Sequence, residues 1–209
     1  MTRELVIFDL DGTLVKLMHD QDKLNSLRML VTEEIEKSSF VDKGMIRGGV
    51  FGLYRLLETH SMEDKSIRVK IRNYIDRYEL GCAAEAELRE EIYSAIPDLK
   101  KCGAIIGMIT NNGRACVDKL FTLGIIQERE FDMIITRDEM DKIKPDSWSL
   151  TQMIDLAKGR PDNIFFVGDS MNDSEMANAY NAIKNGNVKW IDARDISTAE
   201  MLKWRITNG

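Results

Sequence analysis

The sequence predicts an α/β protein: a Rossmann-like parallel sheet with helices on both faces, interrupted near its start by an inserted block of helices. Three observations carry this expectation. Short apolar runs recur along the chain and end in glycine or polar residues, as strands buried on both faces do. Helical stripes alternate with those runs over the second half, which implies parallel strands joined by right-handed crossovers. Between the first run and the others, about eighty residues show helical spacing alone, the texture of a small bundle.

Leu5 to Phe8 is the first strand, running into Asp9-Leu10-Asp11-Gly12-Thr13-Leu14. Leu24, Leu27, Val31 and Ile35 then repeat at three- and four-residue spacing, the mark of a helix with one buried face. Val50, Leu53, Tyr54 and Leu57 form a second stripe, Ile67, Ile71, Tyr74, Ile75 and Tyr78 a third, and Leu88, Ile92 and Ile96 a fourth. Lys43-Gly44 and Gly48-Gly49 mark a flexible connection between the first two. Residues 15–94 therefore read as the insert, and 1–14 with 95–209 as one α/β core.

Ala104 to Ile109 is the next strand, closed by Thr110-Asn111-Asn112-Gly113. A helix with Val117, Leu120 and Phe121 inward follows and stops at Gly124. Met133 to Ile135 is a short third strand; after Pro145, Leu150, Met153, Ile154 and Ala157 form a helix ended by Gly159 and Pro161. Ile164 to Val167 is a buried strand that runs into Gly168-Asp169. Met176, Ala177, Tyr180 and Ile183 make another helical stripe, closed by Asn185-Gly186, and Val188 to Ile191 is the last strand. Ser197 and Glu200 form a capping box for a terminal helix.

The 209 residues suffice for one full core and a modest second domain. A net charge of −6 argues against a surface that tracks nucleic acid, because phosphate backbones are bound through excess Lys and Arg. Cys82, Cys102 and Cys116 form no Cys-x-x-Cys pair, so they read as buried reduced thiols rather than a zinc site or disulfide framework. No apolar run has transmembrane length, and the first is too short for a secretory leader. The expectation is a cytoplasmic protein with no membrane and no nucleic-acid partner.

Ligands of open α/β sheets bind outside the carboxyl ends of the strands, where the polar residues of this chain collect. Asp9 and Asp11 are two apart, so on an extended strand end they point the same way, with Leu10 opposite. Neighbouring carboxylates repel unless a cation neutralises them or one takes a proton. A hard cation such as Mg²⁺ suits the first solution and a general acid the second. An EF-hand calcium loop fits poorly, because its glycine and later acids fall at other spacings. Thr110 and Asn111 offer a hydroxyl and an amide to a phosphoryl oxygen, Lys144 stands before Pro145, and Asp169 and Asp173 straddle a helix start. Each alone has a plain reading as a turn, a solvated lysine or a helix cap. Together they supply paired acids for a metal, donors for an anion and a cation, the inventory of phosphoryl transfer.

Asp9-Leu10-Asp11-Gly12-Thr13, Thr110-Asn111, Lys144-Pro145 and Gly168-Asp169-Ser170 with Asp173 resemble, in order and placement, the four motifs of the haloacid dehalogenase superfamily. The resemblance implies Asp9 as a nucleophile that forms an aspartyl-phosphate, and Asp11 as general acid and base. It implies Mg²⁺ held by Asp9, the backbone carbonyl of Asp11 and Asp169, with Asp173 in support. Thr110, Asn111 and Lys144 would bind the phosphoryl group. An acid at position 11 matches the family's phosphatases and phosphomutases rather than its dehalogenases. The helical block resembles the family's inserted α-helical cap domain. Lys43 to Arg47 is similar to the cap loop of phosphoglycolate phosphatases and β-phosphoglucomutases, which makes Arg47 the candidate for substrate specificity. His19 and His60 fit no metal or triad pattern.

Two departures concern the subfamily. The segment from Pro97 to Thr110 is short, so the helix before it must be brief; and Tyr180-Asn181 stand where relatives carry a small Ala-Gly pair. The reading is a Mg²⁺-dependent phosphatase of small phosphomonoesters, with phosphoglycolate-like acids the best fit. A β-phosphoglucomutase-like mutase is the alternative. A non-enzymatic binding module would have lost its nucleophile, and Asp9 is present. The expected partner is a small phosphorylated molecule, and the expected state a monomer or homodimer.

Overall fold

The structure, a computed structural model, describes residues 3–37, 49–50, 52–55, 65–157 and 161–208. The chain divides into two compact units, one of residues 1–17 with 86–209 and one of residues 18–85.

The larger unit is built on five parallel strands: β1 (Glu4–Phe8), β4 (Ile105–Ile109), β5 (Met133–Ile135), β6 (Asn163–Gly168) and β7 (Val188–Asp192). Their order is β5-β4-β1-β6-β7, so β1 is central and pairs with β4 on one side and β6 on the other. The composition of β1 explains its place: Leu5, Val6, Ile7 and Phe8 are all fully buried, and only a strand covered on every side accommodates such a run. The chain moves outward from β1 to β4 to β5, then returns across the sheet to β6. The switch point therefore lies between β1 and β6, where open sheets bind ligands.

Helices α3 (Glu90–Tyr93), α4 (Ile96–Lys101), α5 (Arg114–Thr122), α6 (Trp148–Leu156), α7 (Met171–Lys184) and α8 (Ala199–Asn208) complete this unit. Right-handed crossovers place the helices of the outward moves on one face and those of the return on the other. The packing agrees: α6 lies against α7, whereas α3 packs on α8, and Lys203 of α8 reaches Asp98 of α4 at 2.9 Å. The helix before β4 has six residues, as brief as the short segment requires.

The smaller unit contains α1 (Gln21–Glu36) and α2 (Lys65–Ala83), which pack together through Leu27, Val31, Ile35, Ile67, Ile71 and Ile75. Asp20 caps α1, its carboxylate accepting from the backbone of Asp22 and Lys23. His19 stacks on Tyr78 and sits 3.7 Å from the thiol of Cys82.

Several local expectations need correction. The fourth helical stripe is not one helix. Leu88 lies in β3 (Glu87–Leu88), antiparallel to β2 (Val15–Lys16), Ile92 in the one-turn α3, and Ile96 opens α4. Three elements contribute one apolar residue each at helical spacing, the half-buried Leu88 and the buried Ile92 and Ile96, and two-residue strands are too short to show alternation. Helix α8 is capped one residue later than expected, by the Thr198 hydroxyl accepting from Met201 N. Cys102 is exposed, unlike Cys82 and Cys116. Ile183 faces solvent beyond the buried Met176 and Ala177 of α7. Leu57, the loop from Lys43 to Arg47, His60 and Gly159 lie outside the described residues.

The departure at Tyr180-Asn181 has a structural account. Asn185 ends α7 in the left-handed region (φ 48°), and the chain turns straight into β7. The Asn181 amide spans that turn, donating to Val188 O at 2.9 Å and accepting from Val188 N at 2.8 Å. A Cβ on Gly186 would fall 2.5 Å from the Tyr180 ring, so the ring covers the turn. Asn181→Ala leaves both Val188 groups without this partner and is expected to cost about 1–3 kcal/mol. Urea unfolding checks it; an unchanged midpoint would show that water replaces the amide at no cost.

Candidate active site

The site begins where β1 stops. Asp9 continues the ladder by one bond, its N–H donating to Val167 O at 2.9 Å, and the chain then turns. The Leu10 carbonyl accepts from Thr13, Leu14 and Val15 at 3.2, 2.8 and 3.0 Å, and Gly12 N donates to Val15 O at 2.7 Å. Gly12 adopts φ 81°, and a Cβ there would lie 2.2 Å from Asp169 Oδ2. Only glycine meets both demands.

This turn carries the chain from Asp9 through Asp11 to Val15. The Asp11 carboxylate accepts from Leu17 N at 3.0 Å. The acids that join Asp9 come from beyond β6: one carboxylate oxygen each from Asp9, Asp169 and Asp173 lies within 4.8 Å of the others. Asp173 is held by the first turn of α7, where its Oδ2 accepts from Ser170 N at 3.0 Å and Ser170 Oγ at 2.6 Å. A Cβ on Gly168 would fall 2.6 Å from the Asp173 side chain, so that glycine admits it.

Lys144 closes the group. Its Nζ donates to Asp9 Oδ1 and Asp173 Oδ1, each at 2.6 Å, and to Ile109 O at 3.4 Å. The side chain is 3% exposed, and its three protons have three acceptors. Asn111 sets the lysine's backbone: its amide donates to Lys144 O at 3.2 Å and accepts from Lys144 N at 2.9 Å. The Asn111 side chain is thus engaged with Lys144, where the sequence pointed it at a phosphoryl oxygen. Thr110, 1% exposed, donates to Asn112 Oδ1 at 2.9 Å and accepts from Asn112 N at 3.1 Å.

Sequence reasoning missed two arginines. Arg137 is almost fully buried and donates to Asn111 O at 2.8 Å, while its own N–H bonds Asn112 O. A signal existed, because Thr136 and Glu139 form a capping box directly after β5. Arg89 bonds the Gly12 carbonyl from 77 residues away, and no local pattern marks it.

The electrostatics follow from burial. Burial pushes the Asp9 carboxyl up to about 8, the like charge of Asp173 adding to the shift and Lys144 opposing it. Asp169 is also raised, by burial first and then by Asp173 and Asp11. Burial pulls Lys144 down, but Asp173 and Asp9 outweigh it and hold the ammonium above its usual range. One ammonium shared by two buried carboxylates leaves them under-neutralised. An oxygen-only donor set short of positive charge fits a hard divalent cation such as Mg²⁺.

A family model described as haloacid dehalogenase-like hydrolase matches residues 6–184. The chain is 27% identical over 190 residues to a phosphoglycolate phosphatase of Mesorhizobium japonicum, covering 86% of this chain and 80% of that one. It is 27% identical over 175 residues to the pyrophosphatase PpaX of Bacillus cereus, covering 80% and 75%. A crystal structure of a haloacid dehalogenase-like hydrolase from Bacteroides fragilis superposes with a TM-score of 0.61 at 22% identity, covering 95% and 98%. Among the described residues, no helix is long and apolar enough to cross a membrane.

The raised Asp9 makes a prediction for the metal-free protein. An acid harder to ionise when folded binds more protons in the native state between its two pKa values, so stability falls as pH rises from about 4 to about 8. In EDTA, the wild type should lose thermal stability from pH 5 to pH 8 more steeply than Asp9→Asn, and Mg²⁺ should stabilise it more at pH 8 than at pH 5. Parallel pH slopes for the two proteins would mean that Asp9 ionises normally.

Proposed function

The chain belongs to the haloacid dehalogenase-like hydrolase family, and from that premise we propose that it is a Mg²⁺-dependent phosphatase of small phosphomonoesters that works through an aspartyl-phosphate. The observation that carries the reading is the buried Lys144 ammonium bridging Asp9 and Asp173 at the switch point of the sheet.

Asp9 is the nucleophile. Its carboxylate oxygen attacks phosphorus, the bond to the leaving oxygen breaks, and Asp11 gives that oxygen a proton. Water then attacks the phosphorus of the aspartyl-phosphate, Asp11 takes its proton, and Asp9 is restored with release of inorganic phosphate. Lys144 offsets the charge crowded between the phosphoryl oxygens and the acids. Thr110, Asn111 and Lys144 are the candidates to bind the phosphoryl group; the Asn111 amide gives one of its two N–H protons to Lys144 O and keeps the other, whereas the Thr110 hydroxyl proton would have to leave Asn112 Oδ1. Asp9, Asp169 and the Asp11 backbone carbonyl, with Asp173 in support, would hold Mg²⁺, whose positive charge when bound would favour ionised Asp9 and offset the phosphoryl dianion. No step needs a residue of unit 18–85, whose role is then that of a cap that selects substrate, with Arg47 its candidate contact.

The favoured substrate is a phosphomonoester with a second anionic group, of the phosphoglycolate kind named for the Mesorhizobium relative. Inorganic pyrophosphate is the second reading, favoured by the name of the Bacillus relative. The same two acids would also serve a sugar-phosphate mutase. Incubation with phosphoglycolate, pyrophosphate and a hexose 1-phosphate separates the three through free phosphate or isomer.

Two outcomes are expected. Activity requires Mg²⁺ and is lost in excess EDTA; turnover that persists in chelator would remove the metal from the reading. Asp9→Asn takes up no phosphoryl label from an aryl phosphate, whereas Asp11→Asn accumulates phosphoenzyme and retains activity reduced by about 10²–10⁴-fold. Rapid quench with intact-protein mass measurement reads both, and label on Asp9→Asn would overturn the nucleophile assignment.

A further inference from the structure

We infer that Arg89 is a positioning residue that aims Asp11, an inference resting on the acid–base role proposed above. Arg89 follows β3, at the return of the chain into the larger unit. Its Nη1 donates to the Gly12 carbonyl at 2.5 Å and its Nη2 to the Ala193 carbonyl at 3.3 Å. The Nε donates to Glu91 Oε1 at 2.8 Å, and the backbone N–H donates to Leu14 O at 2.9 Å. One side chain therefore ties the loop after β1 to the loop after β7, across the position of β6.

Gly12 is the residue after Asp11, so a shift of its carbonyl moves the Asp11 backbone with it. On one side Gly12 is stopped by Asp169, where there is no room for a Cβ. Its carbonyl is held by the Arg89 guanidinium. The Asp11–Gly12 segment is thus clasped, and Asp11 presents its carboxylate from a loop that cannot drift. A guanidinium holds two carbonyls and a carboxylate at once because its five donors lie in a rigid plane. A lysine ammonium on a flexible stem cannot reproduce that geometry.

Misplacing a general acid has a signature that general loosening lacks: it penalises poor leaving groups, which need a proton, far more than good ones. It also slows hydrolysis of the phosphoenzyme, for which Asp11 is the base. The test compares wild type, Arg89→Lys and Arg89→Ala on aryl phosphates of differing leaving-group acidity, with rapid-quench mass measurement and thermal unfolding alongside. Expected are losses at least about tenfold larger on phenyl phosphate than on p-nitrophenyl phosphate for Arg89→Ala, with phosphoenzyme accumulating in that variant and Arg89→Lys intermediate. Equal losses on all substrates without phosphoenzyme would overturn the inference. So would unfolding of both variants at the assay temperature, since Arg89 would then hold up the core rather than aim Asp11. A wild type inert toward every aryl phosphate would instead sink the phosphatase reading, and this inference with it.

Discussion

The structure depends on one buried ammonium. Lys144 Nζ is the only bond the larger unit makes, among the hydrogen bonds described, between the end of β1 and the first turn of α7 through Asp9 and Asp173. Removing one member of such a buried group leaves uncompensated charge and typically costs about 3–5 kcal/mol. The surroundings are accordingly built to keep it in place. Ile109 O takes the third proton, Asn111 brackets the lysine's backbone, and buried Arg137 holds Asn111 in turn. The same arrangement is deliberately incomplete, since one cation faces Asp9, Asp173 and the nearby Asp169. A centre that satisfied its own charges would have nothing to offer a metal or a phosphoryl group.

The sheet was legible because each core strand is an apolar run long enough to stand out, and because β1 is buried on every side. The two-residue strands β2 and β3 were invisible, since a pattern of period two needs more than two residues. Within the site, Asp9, Lys144, Asp169 and Asp173 stand out by their places beyond strand ends and by the four motifs they resemble, and the structure brings all four together. The turn that carries Asp11 was not legible, because it is built by the Leu10 carbonyl gathering three amides. The engagement of Asn111 with Lys144 is likewise a contact 33 residues apart, and that of Arg89 with Gly12 one of 77. Such bonds join a side chain to a backbone group, and backbone groups carry no sequence identity to recognise.

The insert leaves and rejoins the larger unit through adjacent strands, with Val15 opposite Leu88 and Lys16 opposite Glu87. Closing a loop costs only slowly more as it lengthens, so an excursion from Met18 to Glu85 that returns to its starting point burdens the core little. The proposed catalytic residues all lie in the larger unit. Under the proposed function, selection of substrate and chemistry on phosphate fall to different stretches of chain, so that one can vary without disturbing the other.

The central place of β1 has a consequence for how the chain is made. Leu5 pairs with Ile105 and Ile164, its partners 100 and 159 positions downstream. At roughly 5–20 residues per second of synthesis, about 10–30 s separate completion of β1 from completion of β6. Until β6 is made the central strand, buried on every side in the finished protein, lacks at least one of its two neighbours, whereas the contacts of α1 with α2 are closer in sequence. The helical unit is therefore positioned to form first, and the larger unit to condense around β1 only when its fourth core strand arrives. The early run Leu5–Phe8 therefore spends most of translation with at least one ladder edge open.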